Sequence, residues 1–240
     1  LIRVGWERED SRVPNLVKIC GLSTEETLEA ALAAGADMIG LVFFDKSPRN
    51  VPMEVAARLA ERARGRAEIV VLTVDADDAL VDAIVAEVRP DWLQLHGHES
   101  PARCAELKKR HGIRIMKALG VSGRQDLAAA APYIAHVDRL LFDAKPPQGA
   151  VLPGGNGVSF DWRLLKGLDL GVPLMLSGGL DAATVGEAVR IGGIRDVDVS
   201  SGVERGRGVK DTELIRAFVA AARRAVPGAA ETAAEQGRSA

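Results

Sequence analysis

Eight short apolar runs, each followed by an amphipathic or polar stretch, fill most of the chain, and this alternation limits the possible folds more than any other feature. The runs cover residues 16–20, 38–43, 68–74, 92–95, 114–118, 139–142, 173–176 and 196–199. Helices are predicted over 24–34, 52–64, 77–88, 101–110, 125–131, 182–191 and 211–225, with a further helix starting near Asp161 after a long loop. Ser23 or Thr24, Ser100 before Pro101, and Asp181 have the character of helix N-caps. Gly35 and Gly112 have that of helix stops. Continuous apolar strands between helices belong to a parallel sheet covered on both faces. Eight such units select an α/β fold, a single closed (β/α)8 TIM barrel. The alternative is a doubly wound open sheet, because periodicity does not show closure.

At 240 residues the chain is one barrel long, since such barrels use about 250. Hydrophobic residues make up 47% but aromatics only 4%, so the core must be built from Val, Ile, Leu and Ala. The net charge of -2, with both signs mixed along the chain, argues against nucleic acid or an anionic membrane as partner. Cys20 and Cys104 lack metal-site or CxxC spacing, and Cys104 is read as a partly buried structural thiol. No run reaches the roughly 18 apolar residues of a membrane span, and residues 1–13 carry no secretory signal. The expectation is a soluble, cytoplasmic protein. Residues 1–14 are read as a loose N-terminal extension, 15–226 as the barrel and 227–240 as a disordered tail.

In such a barrel the active site lies at the C-terminal ends of the strands. Two chemically capable residues close apolar runs there: Cys20 after strand one and Asp143 after strand six. A thiol in that position is equally a small core residue or a base. Lys18 is read as facing a different direction from Cys20, so that strand register decides whether it helps. Asp143 is either a general acid or a structural carboxylate paired with Lys145. The loops after strands six, seven and eight supply Gly155 and Gly157, then Ser177, Gly178 and Gly179, then Ser200, Ser201 and Gly202. Glycine lets backbone amides approach an anion, so the three loops together point to a phosphate cradle rather than to tight turns alone. Arg49 can grip a carboxylate or be a solvated loop residue. His96 has no second His or carboxylate at metal spacing nearby, and Gln94 and His96 are read as hydrogen-bonding within the barrel mouth or to substrate. Asp198 binds substrate hydroxyls or orients its neighbours.

Taken in order, these strings resemble the phosphoribosylanthranilate isomerase family of tryptophan biosynthesis. They are Val17-Lys18-Ile19-Cys20-Gly21, Phe43-Phe44 with Ser47-Pro48-Arg49, Leu93-Gln94-Leu95-His96-Gly97, Leu141-Phe142-Asp143, Gly154-Gly155-Asn156-Gly157, Leu176-Ser177-Gly178-Gly179-Leu180 and Asp198 through Glu204. The resemblance runs from about Val17 to Ala222. It departs in the sixth loop, where Asn156 stands in place of the usual Thr.

The resemblance implies an Amadori rearrangement of N-(5-phosphoribosyl)anthranilate to 1-(2-carboxyphenylamino)-1-deoxyribulose 5-phosphate. It implies Asp143 as general acid, Cys20 as general base, Arg49 as the anthranilate carboxylate's partner and the glycine loops as the phosphate site. His96 and Asp198 are further candidate substrate-binding residues. The chemistry needs neither metal nor organic cofactor, because the iminium formed on ring opening is already an electron sink. The small-molecule substrate is the expected partner, with the chain a monomer or homodimer. Two other readings stand beside this one. A histidine-pathway barrel isomerase has Asp at the position of Cys20, and a phosphate-binding barrel without catalysis would have no use for both Cys20 and Asp143.

Overall fold

The computed structural model describes residues 16–146, 149–150 and 152–225. The expectations for 1–14 and 227–240 lie outside these residues. Strands β1 (Val17–Cys20), β2 (Met38–Phe43), β3 (Glu68–Thr73), β4 (Trp92–Leu95), β5 (Arg114–Val121), β6 (Arg139–Ala144), β7 (Leu174–Leu176) and β8 (Val197–Val199) close into one parallel barrel in chain order. The closure removes the open-sheet alternative. Helices α1 (Glu25–Ala34), α2 (Met53–Ala63), α3 (Asp78–Val88), α4 (Pro101–His111), α5 (Arg124–Leu127), α6 (Val185–Gly192) and α7 (Thr212–Arg224) connect and cover the strands.

Local chemistry explains most boundaries. The Thr24 hydroxyl accepts from the Thr27 amide at 3.3 Å to start α1, and the Ser100 hydroxyl accepts from the Arg103 amide at 3.2 Å to start α4. Gly35 and Gly112 end those helices in the left-handed conformation, with φ of 85° and 64°. Asp181 accepts from the amides of Ala183 and Thr184 at 2.9 and 2.8 Å, but this caps a turn, and α6 begins only at Val185.

Three elements differ from expectation. The helix sought near Asp161 is a single 3-10 turn, Trp162–Leu165, cut short before Gly167 with φ 72°. The stretch after β5 winds into α5 and then a 3-10 segment, Ala128–Tyr133, with Pro132 inside it. A hairpin of β9 (Glu204–Gly206) and β10 (Val209–Lys210) follows β8.

The strand period of two divides the core. Outward residues such as Ile19, Ile39, Leu41, Ile69 and Val71 pack with the helices. Inward residues fill the barrel: Met38, Val70, Trp92, Met116, Leu141 and Met175 form its floor. Above them lie Cys20, Val42 and Leu72. The same period corrects the reading of Lys18. Positions 18 and 20 of one strand share a face, and the register pairs Lys18 with Asp198 of β8. Cys104, expected to be partly exposed, is fully buried, and burial pushes its thiol up to about 11.

Candidate active site

One cavity occupies the C-terminal mouth of the barrel. Its lining includes Cys20, Arg49, His96, Asp143 and Asp198. Gly155, Gly157, Ser177, Gly178, Gly179, Ser200 and Ser201 line it as well. Gly202 does not. A Cβ there would stand 1.9 Å from the Leu180 carbonyl oxygen, so this glycine is required by backbone packing between the seventh and eighth loops. Gly157 is the opposite case: with φ 70°, its missing side chain would meet only the Ser201 hydroxyl, at 4.0 Å, and the space beside it stays open.

Cys20 ends β1 opposite Gly40, where any Cβ would lie 2.9 Å from the Cys20 sulfur. The glycine thus makes room for the thiol. Burial is the main influence on Cys20 and pushes its thiol up. Lys18 and Lys210 oppose that push, while Asp198 adds to it.

Asp143 lies within β6 rather than after it, because the strand continues to Ala144 opposite Val121. Its Oδ1 accepts from the Ala144 amide at 2.8 Å, and its Oδ2 stands 3.4 Å from His96 Nε2. Lys145 is turned away and pairs with Asp126 at 3.2 Å. The sixth loop folds over the carboxyl so closely that a Cβ on Gly154 would sit 2.4 Å from Oδ2. His96 is held from below by Gln94, whose amide nitrogen is 3.3 Å from Nδ1. An amide N–H donated to Nδ1 leaves the ring proton on Nε2, facing Asp143.

Three buried charge networks surround these groups, and single residues in the sequence did not point to them. The Lys18 ammonium donates to Asp198 Oδ1 at 2.7 Å, and the Ser177 hydroxyl donates to Oδ2 at 3.1 Å. Lys117 donates to the carbonyls of Leu95 and Gly97 at 3.2 and 2.8 Å and to Glu99 at 3.1 Å. Glu99 accepts from the amides of Asp75 and Gly97, both at 2.9 Å, so this pair fastens the loop that carries His96.

The third network concerns Arg49, which is not a solvated loop residue. It is buried, and its Nε and Nη2 donate to Glu204 at 2.7 and 3.0 Å, with Nη2 also reaching the Gly155 carbonyl at 3.2 Å. Lys210 donates to the same carboxylate at 2.8 Å and to the Ser200 carbonyl at 2.8 Å. Glu204 therefore holds the guanidinium in one plane and leaves the Nη1 edge for another acceptor. The one available signal was the acidic end of the Asp198–Glu204 string; Lys210 lies six residues on, but Arg49, 155 residues away, could not be inferred from it.

Burial raises the Glu204 carboxyl, but Arg49's hydrogen bonds, the Lys210 charge and the Gly208 amide outweigh it and bring the group down to about 2. A depressed carboxyl contributes stability that is complete above its unfolded value of about 4.3 and is lost as pH falls toward 2. Acid unfolding of the wild type should therefore steepen across that window by roughly 3 kcal/mol. In Glu204→Gln this contribution should vanish, as measured by urea midpoints at pH 6 and pH 3. Equal loss of stability on acidification in both proteins would overturn the assignment.

A closed (β/α)8 barrel whose C-terminal mouth gathers a thiol, a carboxyl and glycine loops has the architecture of the barrel enzymes. The family model for N-(5'-phosphoribosyl)anthranilate isomerase matches residues 17–221. The chain belongs to that family. An N-(5'-phosphoribosyl)anthranilate isomerase of Afipia carboxidovorans is 61% identical over 210 residues, 88% of this chain and 90% of that protein. The crystal structure of the phosphoribosyl anthranilate isomerase of Thermotoga maritima superposes with a TM-score of 0.79 at 33% identity, covering 88% of this chain and all of that one. A further isomerase structure, in complex with reduced 1-(o-carboxyphenylamino)-1-deoxyribulose 5-phosphate, gives a TM-score of 0.76 at 31% identity over 88% of this chain. Among the described residues no helix is long and apolar enough to cross a membrane.

Proposed function

We propose that the mouth cavity isomerises N-(5'-phosphoribosyl)anthranilate, the reaction of its family, with Asp143 as general acid and Cys20 as general base. The observation that carries this reading is the convergence of both side chains and the three glycine-bearing loops on one cavity. The phosphate rests on the loops of Gly155, Gly157, Ser177, Gly178, Gly179, Ser200 and Ser201. The anthranilate carboxylate lies against the free Nη1 edge of Arg49. Asp143 protonates the furanose ring oxygen, the ring opens, and the C1–N bond becomes an iminium. That cation acidifies the C2 hydrogen, which the Cys20 thiolate takes to leave an enolamine. Protonation at C1 and loss of the hydroxyl proton at C2 give the ketone.

His96 steadies Asp143 and lies where it also meets the sugar. Asp198 has one oxygen on Lys18 and the other on Ser177, and so orients its neighbours. Both cysteines are free thiols, in keeping with a reducing cytoplasmic setting.

The test is the loss of phosphoribosylanthranilate fluorescence on adding the purified chain, run beside the corresponding histidine-pathway aminoaldose. Turnover of the first substrate is expected; binding without turnover would favour a catalytically inactive phosphate-binding barrel. Arg49→Ala should raise KM by roughly 10- to 100-fold, the worth of a charge-assisted hydrogen bond, with a smaller change in kcat. Lys210 still neutralises Glu204 in that variant. An unchanged KM would remove Arg49 from carboxylate binding.

A further inference from the structure

We propose that Lys18 is the positioning residue that makes Cys20 a base: its buried ammonium, fixed by Asp198 on the inner wall of the barrel, supplies the positive charge beside which the thiolate forms. The inference rests on the reading of Cys20 as the base and adds what that reading lacks, a source for the anion.

Lys18 is completely buried, with no access to water, and shares the inner face of β1 with Cys20. A lysine enclosed in this way is costly and needs a partner. Asp198 is that partner at 2.7 Å, across the β1–β8 seam, and the Ser177 hydroxyl fixes the second oxygen of Asp198. The ammonium is therefore held in one place by β8 and β7, on the same inner face as the Cys20 sulfur, and its charge favours the thiolate.

The other groups facing the sulfur make the balance explicit. From β10, Lys210 adds a second positive charge, and it donates to the Ser200 hydroxyl at 3.2 Å while that hydroxyl reaches the Cys20 carbonyl at 3.2 Å. From β2 and β3 come only Gly40, Val42 and Leu72, which carry no charge. Arg49, beyond Gly21, is neutralised by Glu204. Cys20 thus sits in an apolar pocket with two cations and one carboxylate. Burial favours the neutral thiol and the excess of positive charge favours the anion. Burial wins the balance in the empty mouth, so the neutral thiol predominates, and a thiolate that forms there beside Lys18 is poorly solvated and hence a strong base toward carbon. The proton released when it forms leaves through the open mouth.

The experiment is alkylation of Cys20 by iodoacetamide as a function of pH, read by mass spectrometry of the Cys20 peptide so that Cys104 does not contribute. Wild type is compared with Lys18→Met and with the double variant Lys18→Met/Asp198→Asn. In Lys18→Met the midpoint of alkylation should rise by about one pH unit or more, and the ascending limb of the kcat/KM profile should move with it. At neutral pH kcat should fall about tenfold or more while KM changes little. Removing the lysine alone leaves Asp198 buried without its cation. If that variant does not fold, the double variant, which removes both charges, carries the test and should still alkylate with a raised midpoint. An unchanged midpoint in the folded variant overturns the proposal. Because alkylation does not depend on turnover, that result is distinguishable from failure of Cys20 as base, which only the kinetics of Cys20 substitutions report.

Discussion

Cys20→Ala should lose turnover by about a thousandfold or more while the barrel stays folded. General base catalysis by one positioned side chain is worth about 10²–10⁴ in rate, and the Asp198 carboxylate in the same mouth is already bonded to Lys18 and Ser177. Lys18 and Lys210 are ammonium donors already committed to Asp198, Glu204 and Ser200. The structural cost is small. Cys20 contributes one sulfur to a minor cluster with Val42 and Leu72, and its removal costs on the order of 1 kcal/mol. KM should change little, since the phosphate loops and Arg49 are untouched. Cys20→Ser should be nearly as inactive, because a buried hydroxyl does not ionise in the accessible pH range. Saturating the alanine variant with phosphoribosylanthranilate and following its fluorescence decides the matter, and a kcat within tenfold of wild type would remove Cys20 from the chemistry.

Asp143→Asn is expected to be comparably damaging, for a different reason. The amide keeps the shape and still accepts from the Ala144 amide, so the position folds as before. It has no acidic proton to give the ring oxygen, and ring opening then lacks the roughly 10²–10⁴-fold assistance of a general acid. The deficit should appear in kcat, and it should shrink for a substrate analogue that is already open-chain. That second measurement separates loss of an acid from simple distortion. If the open-chain analogue and the natural substrate suffer equally, Asp143 acts after ring opening or not at all.

The strands were legible because most centre on a short apolar run set between polar or amphipathic stretches; Met38–Phe43 and Trp92–Leu95 are placed to the residue. Chain order fixed the rest, since eight strands pairing in sequence leave few topologies. Asp143 was read as standing one residue past its strand because a carboxylate breaks an apolar pattern, whereas backbone pairing with β5 carries the strand on. The β9–β10 hairpin escaped notice because five residues of Glu, Arg, Gly, Val and Lys show no alternation. Lys18 was misread by treating a separation of two as a change of face, although that is the spacing at which a strand repeats. The charge networks are a separate matter. Lys18 meets Asp198 across 180 residues and Arg49 meets Glu204 across 155, and one sequence contains nothing that announces such pairings.

The seam between β1 and β8 has a bearing on how the enzyme comes into being. The thiol is laid down near the start of the barrel, but the carboxylate that secures its lysine belongs to the last strand, and Lys210 follows later still. During synthesis the chain passes through a long period in which Cys20 exists without the lysine–carboxylate pair that later lies beside it. The charged surroundings of the thiol are complete only once the ring is sealed, because their last members come from β8 and β10. A truncated or stalled chain ending before residue 198 leaves Lys18 without the carboxylate that holds it on the inner wall of the barrel.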